Sequence, residues 1–95
     1  MGATTFVTTA KGKTAKEAFN AAVKEAKYNY GNSGYTGTIA EKDSFVEIAL
    51  PSGVSPIEAA RSMTISRPDI QDTWGPAGCF KVGTDEYMFF GWASE

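Results

Sequence analysis

The chain has 95 residues, 42% apolar and 21% charged, enough for one modest core and no second domain. Nine basic residues against eleven acidic leave a formal charge of −2, which argues against a nonspecific nucleic-acid binder. With no histidine and a single cysteine, His-based acid–base chemistry, a Cys–His dyad, the usual zinc sites and an internal disulfide are excluded.

In chain order, the β-branched stretch Thr4–Thr9 predicts a first strand, with Lys11-Gly12-Lys13 as the turn after it. Thr14-Ala15-Lys16-Glu17 has the form of a capping box. It opens a helix to about Tyr30, whose buried face is marked by Ala15, Ala18, Phe19, Ala22, Val23, Ala26 and Tyr30 at three–four spacing. Gly31 stands at the expected helix stop. A second strand runs from about Ser44 to Leu50, ended by Pro51-Ser52-Gly53. Ser55-Pro56-Ile57-Glu58 is a second capping box, opening a short helix to about Met63. Residues 67–78 read as loop with room for one helical turn. Cys79–Val82 and Glu86–Trp92 then form a closing hairpin. The order β-α-β-α-β-β implies an α+β fold over residues 1–95, a single globular domain. Its sheet is antiparallel or mixed, with helices packed on one face.

The last strand departs from the usual alternation. Tyr87 and Phe89 point one way, and Met88, Phe90 and Trp92 the other. Either the strand is central and covered on both sides, or its second face meets another subunit. The second option makes Tyr87, Phe89, Phe90 and Trp92 an expected homo-oligomer interface.

Charge is divided unevenly. Residues 1–27 carry a net +3 and residues 28–95 a net −5. This division can steer an anionic ligand to the first helix, or it can be a plain solvated lysine face. The stretch Gly31-Asn32-Ser33-Gly34-Tyr35-Thr36-Gly37-Thr38 is the most distinctive local feature. Its glycines permit close backbone approach, its short polar groups can donate hydrogen bonds, and Tyr35 can stack on a ring. It matches neither the dinucleotide G-x-G-x-x-G fingerprint nor a Walker loop, so a helix cap and turn is the competing reading. Lys42 and Arg61 can offset phosphate charge, and Trp74 can wall a stacking site. The acidic pairs Asp69/Asp72 and Asp85/Glu86 fall in predicted turns, where carboxylates are common for conformational reasons. Cys79 reads as a small buried apolar group. No metal site and no cofactor is expected, and the chain is not expected to be an enzyme. A carboxylate- or magnesium-based mechanism is the residual enzymatic alternative.

Tyr30-Gly31-Asn32-Ser33-Gly34-Tyr35-Thr36-Gly37-Thr38-Ile39-Ala40-Glu41-Lys42 resembles a segment shared by short phage and bacterial proteins, of the form YG-x-x-GYTGTIAEK. The likeness covers about the first half of the chain and brings no catalytic residues. It implies a small accessory protein of a mobile element that counters host defence, by masking a host protein or by sequestering a nucleotide signal. With the lone cysteine, no secretory signal and no membrane-length apolar run, it fits a cytoplasmic protein. The sequence thus leads to a non-enzymatic binder of a small anionic or nucleotide-like ligand, with no cofactor. The alternative is an oligomeric interaction module with no small-molecule ligand.

Overall fold

The structure, a computed structural model, describes residues 3–30, 38–39, 42–50, 52–71 and 75–94. Strand β1 spans Ala3–Lys11 and helix α1 Ala15–Tyr30. Strand β2 is short, Phe45–Glu47, and is followed by α2, Pro56–Ser66, and α3, Pro68–Gln71. Strands β3, Ala77–Gly83, and β4, Glu86–Ser94, close the fold. The α+β class and the element order are those the sequence implies, and α3 takes up part of the expected loop.

Helices α1 and α2 are capped as expected by the side chains of Thr14 and Ser55. The Glu17 amide donates to Thr14 Oγ1 at 3.2 Å, and the Glu17 carboxylate accepts from the Lys13 amide at 3.0 Å. At α2, the Glu58 amide donates to Ser55 Oγ at 3.3 Å, with Pro56 in the first turn, where a missing amide proton costs nothing.

The sheet order is β1-β4-β3-β2. β4 is antiparallel to both β1 and β3, while β2 runs parallel to β3. It follows that β1, β2 and β3 all point the same way, and that β1–α1–β2 and β2–α2–α3–β3 are both crossovers between parallel strands. The first crossover spans the sheet from one edge to the other, and the second turns back by one strand. Crossovers of one hand that move in opposite directions place their helices on opposite faces. This is the reason for the one departure from the expected architecture, in which the helices shared a face. Helix α1 covers Phe6, Cys79, Tyr87, Phe89 and Ala93 with its alanines and Phe19. Helices α2 and α3 cover Phe80, Met88 and Phe90 with Ala59, Ala60 and Ile70.

β4 is therefore central, and its two apolar faces are both covered by this chain's own helices. Phe89 and Phe90 have no exposed surface, and Tyr87 is buried. The expected oligomer interface at Tyr87, Phe89 and Phe90 is corrected accordingly, since a second subunit cannot reach them. Trp92 is half-buried, and its indole Nε1–H donates to the Thr64 carbonyl at 2.8 Å, tying α2 to β4. No helix among the described residues is long and apolar enough to cross a membrane.

Aromatic packing sets the tolerances. Phe89 meets Phe19 and Phe45 edge-on, at centroid distances of 5.5 and 5.7 Å. On the other face Phe90 lies 4.7 Å from Phe80 and directly over its register partner Gly78. A Cβ at Gly78 would stand 2.3 Å from the Phe90 ring. Gly78→Ala is expected to destabilise the fold by about 1–3 kcal/mol, the usual cost of overpacking a filled core. Urea unfolding checks this. The same change in a Phe90→Leu background is expected to cost less, because the two sites share the space.

Candidate functional site

Helix α1 is buried along one stripe and charged along its flank. Lys16, Asn20, Lys24 and Lys27 recur at helical spacing on the flank that faces away from β1. Opposite them runs the segment Lys42-Asp43-Ser44 leading into β2. Between the two lies a groove of about 470 Å³, with Phe19 and Val23 at its base and Lys24, Lys27, Lys42 and Asp43 among its walls. A second hollow of about 240 Å³ shares Phe19, Asn20 and Asp43 with the first and adds Lys16, Ser44 and Phe45. The two adjoin through these shared residues as one channel surface, the larger part lined by Lys24 and Lys27 and the smaller by Phe45.

The local causes can be traced. Lys42 is almost wholly buried, at 3% exposure, and its ammonium donates to the Gly75 carbonyl at 2.9 Å. A buried ammonium is costly unless it is hydrogen-bonded, so this contact holds the lead-in to β2 against the start of β3. The Lys42 amide also donates to Ile39 O, in a short turn around the fully buried Ile39. Ser44 O accepts from the Ala77 amide, which fixes where β2 begins. Phe45 then packs 5.0 Å from Phe19 and forms the aromatic end of the channel. Lys16, Lys24 and Lys27 are exposed.

The sequence-predicted site residues do not assemble into one pocket. Gly31, Asn32, Ser33, Gly34, Tyr35, Thr36, Gly37 and Trp74 lie outside the described residues. Lys42 lines the α1 channel. Thr38 lines a different groove, of about 320 Å³, beside β1. Arg61 is exposed on α2, across the sheet from Lys42, so the sheet itself keeps these two cations from gripping one anion. The lysine flank of α1 was legible as a charge excess over residues 1–27. Its convergence on Asp43 and Phe45 depends on a sheet edge that no local pattern reveals.

Among the described residues the channel offers lysine ammonium groups, the Asn20 carboxamide, the Asp43 carboxylate and aromatic surface, a set that can bind and orient an anion. Among the described residues no group of three or more His, Cys, Asp or Glu side chains could hold a metal. Cys79 is buried in the core beneath α1, and its thiol pKa is pushed up to about 12, first by burial and then by the nearby Glu47 carboxylate. Comparisons with known proteins add no site: no family model, no curated protein and no solved structure matches the chain.

A raised thiol pKa favours the neutral form in the folded state. Up to the ordinary value of 9.0 the thiol is protonated folded or unfolded, and its contribution to stability is intact. Between pH 9 and about 12 the unfolded chain alone releases the proton, so stability is expected to fall across that window. Thermal melts of wild type and Cys79→Ala check this, the wild type losing more stability than the variant over that range. Under native conditions at pH 8, Cys79 is expected to resist alkylation until urea exposes it.

Proposed function

We propose that this chain is a non-enzymatic binding protein that sequesters a small anionic, nucleotide-like ligand in the channel between α1 and the lead-in to β2. One observation carries the reading. The exposed Lys24 and Lys27 line the same groove, where among the described residues the acid is Asp43. Around a low-dielectric wall such as Phe19 and Val23, clustered charge of one sign raises the local concentration of its counter-ion. The aromatic end suits the ring of a nucleotide, and the lysine end its phosphate, as point-charge partners. A role in countering host defence, in the cytoplasm of a host cell, rests only on the resemblance of residues 30–42 to phage proteins. A host protein partner has the same support.

The test is titration calorimetry with a panel of nucleoside mono-, di- and cyclic phosphates beside their parent nucleosides. Phosphorylated members are expected to bind, and to bind more weakly as salt rises. Lys24→Glu with Lys27→Glu is expected to lower affinity at least about tenfold, since each reversal replaces attraction by repulsion at close range. Equal affinity of wild type and the double variant for every bound member would remove the channel from the reading. The same mixtures, analysed for product with and without magnesium, test the enzymatic alternative.

A further inference from the structure

We infer that the base of the ligand is guanine, read along its Watson–Crick edge by Asp43 on one wall of the channel and Lys16 on the other. The inference rests on the channel being a nucleotide site, and it deepens that reading by naming the base.

Its starting point is an acid where a phosphate site has no use for one. Asp43 lines both hollows, so it stands where the part with Lys24 and Lys27 adjoins the part with Phe45. A carboxylate beside those lysines weakens their pull on an anion. It works against binding unless another part of the ligand uses it. Asp43, Lys16 and Asn20 are all exposed, and among the described residues their side chains make no hydrogen bond or ion pair. Their polar atoms are therefore open to a ligand. The backbone of Asp43 is held from both sides. Before it, the buried Lys42 donates to the Gly75 carbonyl; after it, the Ser44 carbonyl accepts from the Ala77 amide. Fixing an acceptor in advance lowers the ordering cost of binding.

The smaller hollow, of about 240 Å³, has an apolar wall and two unlike polar ones. Phe45 is half-buried, and its ring is held 5.0 Å from Phe19 and 5.7 Å from Phe89, a firm surface on which a planar base can stack. Lys16 and Asn20 lie one turn apart on α1, and Asp43 lines the same hollow from the lead-in to β2. An ionised carboxylate has two acceptor oxygens and no donor, whereas an ammonium has donors and no acceptor. Lys16 and Lys24 are separated by a rise of about 12 Å along α1, which leaves room for a ribose between base and phosphate.

The bases differ in how they meet that pair of walls. Guanine sets two adjacent donors, N1–H and its 2-amino group, beside one acceptor, O6. This order satisfies both oxygens of Asp43 and gives Lys16 an acceptor. Adenine has an amino group where guanine has O6, and a bare acceptor at N1. Cytosine has two acceptors beside its amino group, and uracil has one donor between two acceptors. Each of these three turns at least one lone pair toward the carboxylate, an unmade bond that costs affinity. Lys24 and Lys27 hold the phosphate whatever the base, so affinity and base choice fall to different residues.

The experiment is titration calorimetry of the whole chain with the 5′-monophosphates of guanosine, inosine, adenosine, cytidine and uridine, with circular dichroism as the check on folding. Wild type is expected to bind the guanosine nucleotide at least about tenfold more tightly than those of adenosine, cytidine and uridine, the order of discrimination of a two-bond base contact. Inosine lacks the 2-amino group and keeps N1–H and O6, so its nucleotide is expected to fall between. Asp43→Asn exchanges one acceptor for a donor, and xanthine presents an acceptor, O2, where guanine presents its amino group. That variant is expected to prefer xanthosine monophosphate to the guanosine nucleotide, an inversion that a merely structural Asp43 would not produce. Lys16→Gln, whose carboxamide both donates and accepts, is expected to narrow the gap between guanosine and adenosine. Equal affinity of wild type for the guanosine and adenosine nucleotides would overturn the inference and leave the channel as a phosphate site. So would a folded Asp43→Asn chain that still prefers guanosine, or an unchanged gap in Lys16→Gln. Failure of every nucleotide to bind would overturn the channel reading together with the inference. Should Asp43→Asn fail to fold, the inosine comparison and Lys16→Gln decide.

Discussion

Phe89 and Phe90 are neighbours on one strand, so their rings leave the sheet in opposite directions and each must be kept dry. That requirement organises the molecule. A strand wet on one face would need a single layer of cover, but β4 needs two, and a chain of 95 residues has little material for them. α1 meets the demand on one side by being rich in alanine, which lets it lie close to the sheet. On the other side α2 and α3 do so in two short pieces, joined where the Gln71 side-chain amide donates to the Ile65 carbonyl. β4 holds the middle because β1 and β3 flank it, and Gly78 is the space into which Phe90 folds back over its neighbour.

Much of this was legible in the residues. The capping boxes at Thr14 and Ser55, the helix periodicity of Ala15–Ala26 and the hairpin before Trp92 are local signals with local causes, and each produced the element it implies. The side on which α2 lies was not legible. It depends on β2 standing at the far edge and β3 one strand back, which is a matter of topology. The two-faced character of β4 was visible, but it admitted two explanations, and only the position of α2 separates them. For the site, the positive flank of α1 could be read from charge alone. Its opposing wall could not, because Asp43 and Phe45 are brought there by the pairing of β2 with β3 and by long-range hydrogen bonds such as Ala77–Ser44 and Lys42–Gly75.

The two surfaces singled out here sit on the two flanks of one helix. The flank of α1 toward β2 is cationic and borders the aromatic channel. The flank toward β1 carries Glu25 and Asn29 and borders the groove beside that strand. A helix that must show alanine to the sheet has only its sides left for other work, and here the sides differ in chemistry.

The pairing of Ala3 with Ser94 also bears on how the chain is made. At the usual 5–20 residues per second, β1 leaves the ribosome roughly 4–17 s before the strand that completes it. Until then the edge that β4 will cover is unpaired, and the alanines and Phe19 of α1 have no sheet to settle on. The hairpin of β3 and β4 can form quickly by itself, but the closure that joins the beginning of the chain to its end is long-range and slow. Within that interval the threonine-rich strand is exposed to every other nascent copy. The absence of charge over Ala3–Ala10 leaves it in most need of protection during synthesis.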